Sequence, residues 1–133
     1  MSSLGETFFT SVGCMDGRVQ APIEEYGQKR YGVKYPDTIT EAGIVGLLGQ
    51  DNVDSSFLES VKKKVLISVE KHHSKGIIVH GHEECVGNPI ENEKHKKETI
   101  KAVEKIKSFV SSELEVKAVF VERENNNWVV NEL

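Results

Sequence analysis

The sequence has no long apolar run and no basic run with aromatic residues between the charges. A membrane-spanning helix needs ~20 consecutive apolar residues, and no stretch of the chain approaches that length. The 17 lysines and arginines are outnumbered by 21 aspartates and glutamates, which gives a net charge of −4. A domain with this balance lacks the positive surface field that attracts nucleic acid. The sequence therefore argues against a membrane protein and against a nucleic-acid partner.

Cysteine is also scarce, with only Cys14 and Cys85 in the chain. The first six residues lack the basic and apolar parts of a signal peptide, so we expect a cytoplasmic protein. In a reducing compartment, two cysteines in a short chain are more often metal ligands, catalytic thiols or plain buried residues than a disulfide. The segments around Cys14 and Cys85 are therefore the first candidates for a functional site.

The composition is that of an ordinary globular protein, with 38% hydrophobic and 29% charged residues. A length of 133 residues suits one compact domain with one core. The sequence contains no internal repeat and no segment with the composition of a linker. We expect residues 1–133 to form a single domain.

Strand patterns alternate with helical patterns along the chain. A polar turn at residues 125–127 leads to a last short strand, which must return antiparallel after so tight a connection. Pro36 favours an edge position for the second strand. This order predicts an α/β fold with a mainly parallel four-stranded sheet, a C-terminal antiparallel fifth strand and helices on both faces. The predicted strands are residues 7–12, 33–40, 76–81, 116–121 and 128–130.

Local signals place the predicted helices. Pro22 suits the first turn of a helix that ends near Tyr31. Ser56 opens a capping box, and apolar residues at helical spacing then continue to about residue 73. Asn88, followed by proline, suits the N-cap of a long helix. The buried stripe of that helix is predicted at Ile100, Val103, Ile106 and Val110.

The two cysteine segments both follow predicted strands. Cys14 comes after the first strand, and His82 and Cys85 come after the third. Ligands collect at the carboxyl ends of strands in such sheets, and these residues can meet if the two strands are neighbours. Two thiolates and one imidazole fill three of the four tetrahedral positions of zinc and leave the fourth for water or substrate. This is the coordination of a catalytic zinc site.

Two further residues in the first loop suit the orientation of a zinc-bound hydroxide. Zinc lowers the pKa of its water from ~16 to ~7, which gives a nucleophile at neutral pH. Asp16 can accept the hydrogen bond of that hydroxide. Arg18 can hold the carboxylate through two parallel hydrogen bonds. If the loop is extended, residues 14, 16 and 18 point the same way.

The pattern Cys14-Met15-Asp16-Gly17-Arg18 with His82-Glu83-Glu84-Cys85 resembles the paired C-x-D-x-R and H-x-x-C motifs of the β-class carbonic anhydrase family. The resemblance extends in order to Ala42-Gly43, to the segment before His82 and to the terminal hairpin. It implies zinc bound by Cys14, His82 and Cys85, with Asp16 and Arg18 as the catalytic, orienting pair. The implied reaction is the reversible hydration of carbon dioxide to bicarbonate.

The resemblance also implies a fold and an assembly. The parallel strands are expected in the order 2-1-3-4, and the protein is expected to be a homodimer or a higher homo-oligomer. The sequence departs from the family pattern in three ways. Few residues precede the first strand, where the family has helices, Val86 stands where glycine is common, and Glu83 and Glu84 add negative charge beside the metal loop.

The sequence is also compatible with other roles for these residues and with other functions. Asp16 and Arg18 can form an ordinary structural ion pair, or Asp16 can itself bind the metal. His80 is better explained as a hydrogen-bonded core histidine than as a ligand, because it lacks the H-x-x-C spacing. Three other histidines are expected to be solvated helix residues: His72, His73 and His95. Two alternative functions are a non-catalytic, zinc-stabilised dimeric module and a hydrolase of another small linear electrophile such as carbon disulfide.

Overall fold

The computed structural model describes residues 5–133 of the chain. In this part of the chain no helix is long and apolar enough to cross a membrane. The strands are β1 (Phe8–Gly13), β2 (Tyr35–Thr40), β3 (Ile77–His82), β4 (Val116–Glu124) and β5 (Asn127–Glu132). The helices are α1 (Gly17–Tyr31), α2 (Ile44–Leu48), α3 (Ser55–Leu66) and α4 (Asn92–Lys107), and α3 continues as a π-helical segment, Ile67–Lys71.

The strands form one sheet in the order β2-β1-β3-β4-β5. β1 is parallel to both β2 and β3, β4 is parallel to β3, and only the β4–β5 pair is antiparallel. The predicted sheet is therefore confirmed, including its antiparallel fifth strand. β2, which contains Pro36, lies at an edge as predicted, where a missing backbone donor interrupts the sheet least.

Helices cover both faces of the sheet. Side chains of β3 alternate between the faces, as the period of a strand requires. Ile77 and Val79 belong to the apolar cluster beneath α2, α3 and α4. Ile78 belongs to the cluster on the opposite face, with Val19 and Ile23 of α1. All three strand residues are fully buried, so β3 is the central strand of a three-layer structure.

Helix α1 begins at Gly17, so the predicted start at Pro22 was wrong. Asp16 is the N-cap, and its carboxylate accepts a hydrogen bond from the backbone N–H of Arg18 at 2.9 Å. A capping aspartate satisfies one of the free donors at a helix start. Pro22 consequently lies inside the helix, whose end before Gly32 is confirmed.

Helix α3 also starts slightly earlier than predicted. Its N-cap is Asp54, which accepts from the backbone N–H of Phe57 at 3.0 Å, and not Ser56. Val61 and Val65, which lie at helical spacing, are the buried residues of this helix. The regular α-helix ends earlier than residue 73, because the last turns have π-helical geometry.

Helix α4 starts at Asn92, so the predicted start after Asn88 was wrong. The Asn88 side chain instead donates to Glu98 at 2.8 Å and so joins the loop after β3 to α4. Of the predicted stripe, Val103 and Ile106 are buried, whereas Ile100 is 47% exposed. The buried face of α4 is rotated relative to the prediction, and it contains His95 and Thr99.

The turn between β4 and β5 is one residue shorter than predicted. It consists of Asn125 and Asn126, and Asn125 has a φ of 59°. Asparagine tolerates this left-handed conformation better than most residues. The resulting register pairs Arg123 with Trp128 across the hairpin.

Gly13, the last residue of β1, is in register with His80 of β3. A Cβ atom at this position would overlap the imidazole ring of His80. The ring is fully buried and lies against the backbone that leads to Cys14. Gly13 is therefore needed for close packing beside the first cysteine.

We expect Gly13→Ala to lower the free energy of unfolding by about 3 kcal/mol, because the added methyl group has no space. Gly17→Ala is the matched control, since a Cβ there meets nothing within 4 Å and alanine favours a helix. Urea denaturation followed by circular dichroism measures both. Equal stability of the two variants would show that the His80 contact is not tight.

A charged cluster joins α1 to the chain before β4, away from the cysteines. Glu115 accepts hydrogen bonds from Arg30 Nε at 2.6 Å and Nη2 at 2.9 Å, and from the Tyr31 hydroxyl at 2.8 Å. The hydrogen bond from Arg30 lowers the pKa of Glu115 to about 2. The ionised carboxylate thus stabilises the folded protein.

Glu115→Gln should lower the free energy of unfolding by about 1 kcal/mol at pH 7, a value limited by solvent screening of this partly exposed pair. The pKa is lower in the folded than in the unfolded chain, so the stabilisation is full above the ordinary value of 4.5 and is lost as the pH falls to about 2. Urea denaturation at neutral and acidic pH tests this. Glu113→Gln is the control for the change in charge, and a difference between variant and wild type that persists at about pH 2 would contradict the prediction.

Candidate metal centre

The structure brings Cys14, His82 and Cys85 together at the carboxyl end of the sheet. Cys14 directly follows β1, His82 is the last residue of β3, and Cys85 lies in the following turn. One possible ligand atom from each residue lies within 4.8 Å of the other two, and all three residues are buried. The neighbouring positions of β1 and β3 bring the remote cysteine to the local pair.

The hydrogen bonds of His82 leave one ring nitrogen free. Nδ1 lies 2.8 Å from the carbonyl oxygen of Glu83, which can only accept, so Nδ1 carries the proton. Nε2 is buried and has no hydrogen-bond partner among the described residues. A buried polar atom without a partner is costly. A cation at this point would satisfy the Nε2 lone pair, and a hydrogen bond to the other ring nitrogen is typical of histidine ligands.

The two sulfur atoms are 3.8 Å apart, and both cysteines are free. This separation matches two corners of a tetrahedron with zinc–sulfur bonds of about 2.3 Å. Burial and the adjacent Cys14 sulfur raise the pKa of the Cys85 thiol. A divalent cation reverses that effect because it binds thiolates. Two sulfurs and one imidazole therefore fit a metal such as zinc.

The backbone around Cys14 supports this arrangement. Gly43 has a φ of 64°, and its N–H points to the Cys14 sulfur at 3.5 Å. The Gln20 side chain donates to the carbonyl oxygens of Cys14 at 2.9 Å and of Asp16 at 2.8 Å. The loop between β1 and α1 is thus held from both sides.

Asp16 and Arg18 form a close ion pair beside this cluster. Arg18 Nε lies 3.0 Å from Asp16 Oδ1, and Nη2 lies 2.7 Å from Oδ2. The hydrogen bonds from Arg18 lower the pKa of Asp16 to about 2, so the carboxylate is ionised at neutral pH. The predicted extended loop was wrong, because Arg18 is already in α1. Helix capping produces the pairing.

Glu84 and Arg123 were missed as part of this site by the sequence prediction. Glu84 forms ion pairs with Arg18, at 3.4 Å, and with Arg123, at 2.7 Å. The hydrogen bond from Arg123 and, to a smaller extent, the contact with Arg18 lower the pKa of Glu84. Glu83 accepts from the backbone N–H of Arg123 at 2.8 Å. The negative charge expected beside the metal loop is therefore largely compensated. The guanidinium groups of Arg18 and Arg123 also lie 4.8 and 4.6 Å from the Trp128 ring centre.

Two other histidines are buried near the cluster. His80 Nε2 contacts the Ser11 hydroxyl at 3.1 Å, and burial lowers the pKa of His80 to about 3. His80 is therefore a core histidine as predicted, but it is only half hydrogen-bonded, because its Nδ1 is buried without a partner among the described residues. His95 was expected to be solvated, and that was wrong, since only 2% of it is exposed. Its ring lies edge-on to Phe120 at 5.2 Å and 6.3 Å from the His82 ring. Burial lowers the pKa of His95 to about 4.

The sequence contained a signal for His95 and for Arg123. His95 precedes Val103 and Ile106 at helical spacing, so it belongs to the buried stripe of α4. A two-residue turn in the hairpin would have paired Arg123 with Trp128. No sequence pattern links that hairpin to Glu84, because the contact depends on the order of β3 and β4 in the sheet.

Comparisons with known proteins agree with this geometry. A family model described as "Putative carbonic anhydrase" matches residues 4–133, which is nearly the whole chain. A search of curated proteins found no match. Because the family model spans far more than half of the sequence, the chain belongs to this family of carbonic anhydrase-like proteins.

Proposed function

We propose that this protein is a zinc-dependent carbonic anhydrase that catalyses the reversible hydration of carbon dioxide to bicarbonate. In this proposal Cys14, His82 and Cys85 bind zinc, and Asp16 and Arg18 are the catalytic pair. The observation that carries it is the unpaired, buried Nε2 of His82 beside two free thiols in a member of this family. The ionised Asp16 next to this cluster favours catalysis over a purely structural metal.

Asp16 and Arg18 have separate roles in the proposed reaction. A bound zinc supplies the Lewis acidity that makes water a nucleophile at neutral pH. Asp16 accepts a hydrogen bond from the attacking water and so turns an oxygen lone pair toward carbon dioxide. Arg18 fixes the plane of the Asp16 carboxylate and keeps it ionised, since it donates to both carboxylate oxygens.

The cellular setting of the protein is also a proposal. The scarcity of cysteine and the two free thiols suit a reducing compartment, and we propose the cytoplasm. The family resemblance supports a homodimer or a higher homo-oligomer. It also supports one domain over the whole chain, with carbon dioxide and bicarbonate as its small-molecule partners.

The ligand set predicts about one zinc ion per chain in protein purified with zinc present. Cys14→Ser, Cys85→Ser and His82→Asn should each lose most of it, because each removes one of three protein ligands. Elemental analysis by mass spectrometry measures the metal, and circular dichroism shows whether the fold persists. His73→Asn is the matched control, since His73 is exposed and lies before the amino end of β3. Full zinc in all three ligand variants would contradict the assignment.

Asp16→Asn should retain zinc but lower the rate of carbon dioxide hydration about 100-fold, because the amide cannot orient the attacking water in the same way. Asparagine is also a good N-cap, so the stability of α1 should change little. Stopped-flow hydration assays measure the rate, and Asp51→Asn, at an exposed carboxylate, controls for charge.

A structural ion pair would give the opposite result for Asp16→Asn, with lower stability and unchanged activity. Zinc-loaded wild-type protein without activity from about pH 6 to 9, with reductant present, would contradict the enzyme proposal. That outcome would favour a zinc-stabilised module that does not catalyse the reaction.

A further inference from the structure

The guanidinium group of Arg18 is held on two edges. One edge donates to Asp16, from Nε at 3.0 Å and from Nη2 at 2.7 Å. The other edge faces Glu84, with Nη2 3.1 Å from its carbonyl oxygen and Nη1 3.4 Å from Oε1. A planar guanidinium with hydrogen bonds in two directions has little freedom to rotate in its plane.

The Arg18 guanidinium also lies over the indole ring of Trp128. Its central carbon lies 4.8 Å from the ring centre of Trp128 on β5. The Arg123 guanidinium lies 4.6 Å from the same indole and donates to Glu84 through Nε at 2.7 Å and Nη2 at 3.2 Å. Trp128 and Glu84 thus each contact both arginines, which joins the metal loop, α1 and the terminal hairpin.

Glu84 adopts a backbone conformation that glutamate rarely takes, with a φ of 58°. This left-handed conformation is strained for a residue with a side chain and persists only where surrounding contacts impose it. Here its carbonyl oxygen and its carboxylate both reach Arg18. The strain therefore coincides with the two contacts that restrain the guanidinium.

Acidic and basic side chains alternate along this series of contacts. Asp16 pairs with Arg18, Arg18 with Glu84, and Glu84 with Arg123. Each side chain is partly exposed, so single pairs of this kind contribute little to stability.

We propose that Glu84, Arg123 and Trp128 are positioning residues that hold Arg18, and through it the carboxylate of Asp16, in one orientation. This inference rests on the proposed function, in which the orientation of Asp16 sets the direction of attack. Glu84 holds the edge of the guanidinium, the Trp128 ring packs against it, and Arg123 keeps both supports in place. Loss of either support lets the guanidinium turn and the carboxylate plane with it.

The test uses the Nε–H proton of Arg18, whose exchange with solvent reports how tightly the guanidinium is held. The chain has only three arginines, Arg18, Arg30 and Arg123, so their side-chain NMR signals are readily assigned. We expect Glu84→Gln and Trp128→Leu each to speed the exchange of Arg18 about threefold, the factor that corresponds to one partly exposed charged contact. The double variant should speed it about tenfold if the supports act separately.

Arg30 is the internal control, because it makes a comparable two-nitrogen contact with Glu115 far along the chain from the metal loop. A general loss of stability would speed the exchange of both Arg18 and Arg30.

Glu83→Gln controls for the loss of a neighbouring negative charge, since in the part of the chain that the structure describes Glu83 accepts only from the backbone N–H of Arg123. Loss of positioning therefore speeds the exchange of Arg18 beyond its rate in this variant. Trp128→Phe keeps an aromatic face and should restore most of the protection. If the leucine variant does not fold, the exchange rate of Arg18 in Glu84→Gln decides the test.

Unchanged exchange of Arg18 in Glu84→Gln and in Trp128→Leu would overturn the positioning role. Faster exchange of Arg30 to the same extent would overturn it as well. The exchange measurement needs neither zinc nor turnover, so it is independent of the hydration assay. Selective release of Arg18 in a protein that hydrates no carbon dioxide would support the restraint and would contradict the proposed function alone.

Discussion

The parallel pairing of β1 with β3 is the constraint on which the candidate site depends. Gly13 and His80 are in register across this pair, and the absence of a side chain on Gly13 allows the buried imidazole to lie against it. The carboxyl ends of β1 and β3, where the two loops begin, therefore lie side by side. Cys14 reaches the pair formed by His82 and Cys85 only because no strand separates these two ends.

Burial determines the chemical properties of the cluster formed by Cys14, His82 and Cys85. Removal from water raises the pKa of the Cys85 thiol, and within residues 5–133 the Nε2 atom of His82 has no hydrogen-bond partner. Both features are unfavourable without a cation and favourable with one, because a cation binds thiolates and accepts the imidazole lone pair. The acidic Asp16 differs, since Arg18 keeps it ionised at the edge of the buried cluster. The centre thus combines a buried donor set with a charged pair at its border.

The charged pair connects the site to the rest of the fold. Arg18 belongs to α1, Glu84 to the turn after β3, and Arg123 and Trp128 to the hairpin of β4 and β5. These elements meet because β4 lies next to β3, so residues just beyond His82 and Val121 are neighbours. The C-terminal hairpin therefore does more than close the sheet, since it contacts the arginine beside the candidate metal centre.

The sequence by itself determined the alternation of strands and helices, the antiparallel last strand and the positions of Cys14 and of the His82–Cys85 pair at the ends of strands. These features follow from periodicity, from tight turns and from motifs that lie at the ends of strands, all of which are local. Only the tertiary structure decided where α1 and α4 begin, that His95 is buried, and that Trp128 contacts Arg18. A helix start is set by whichever side chain best satisfies its free donors, and burial by what packs against each face. Both depend on groups distant in the chain, which no local pattern contains.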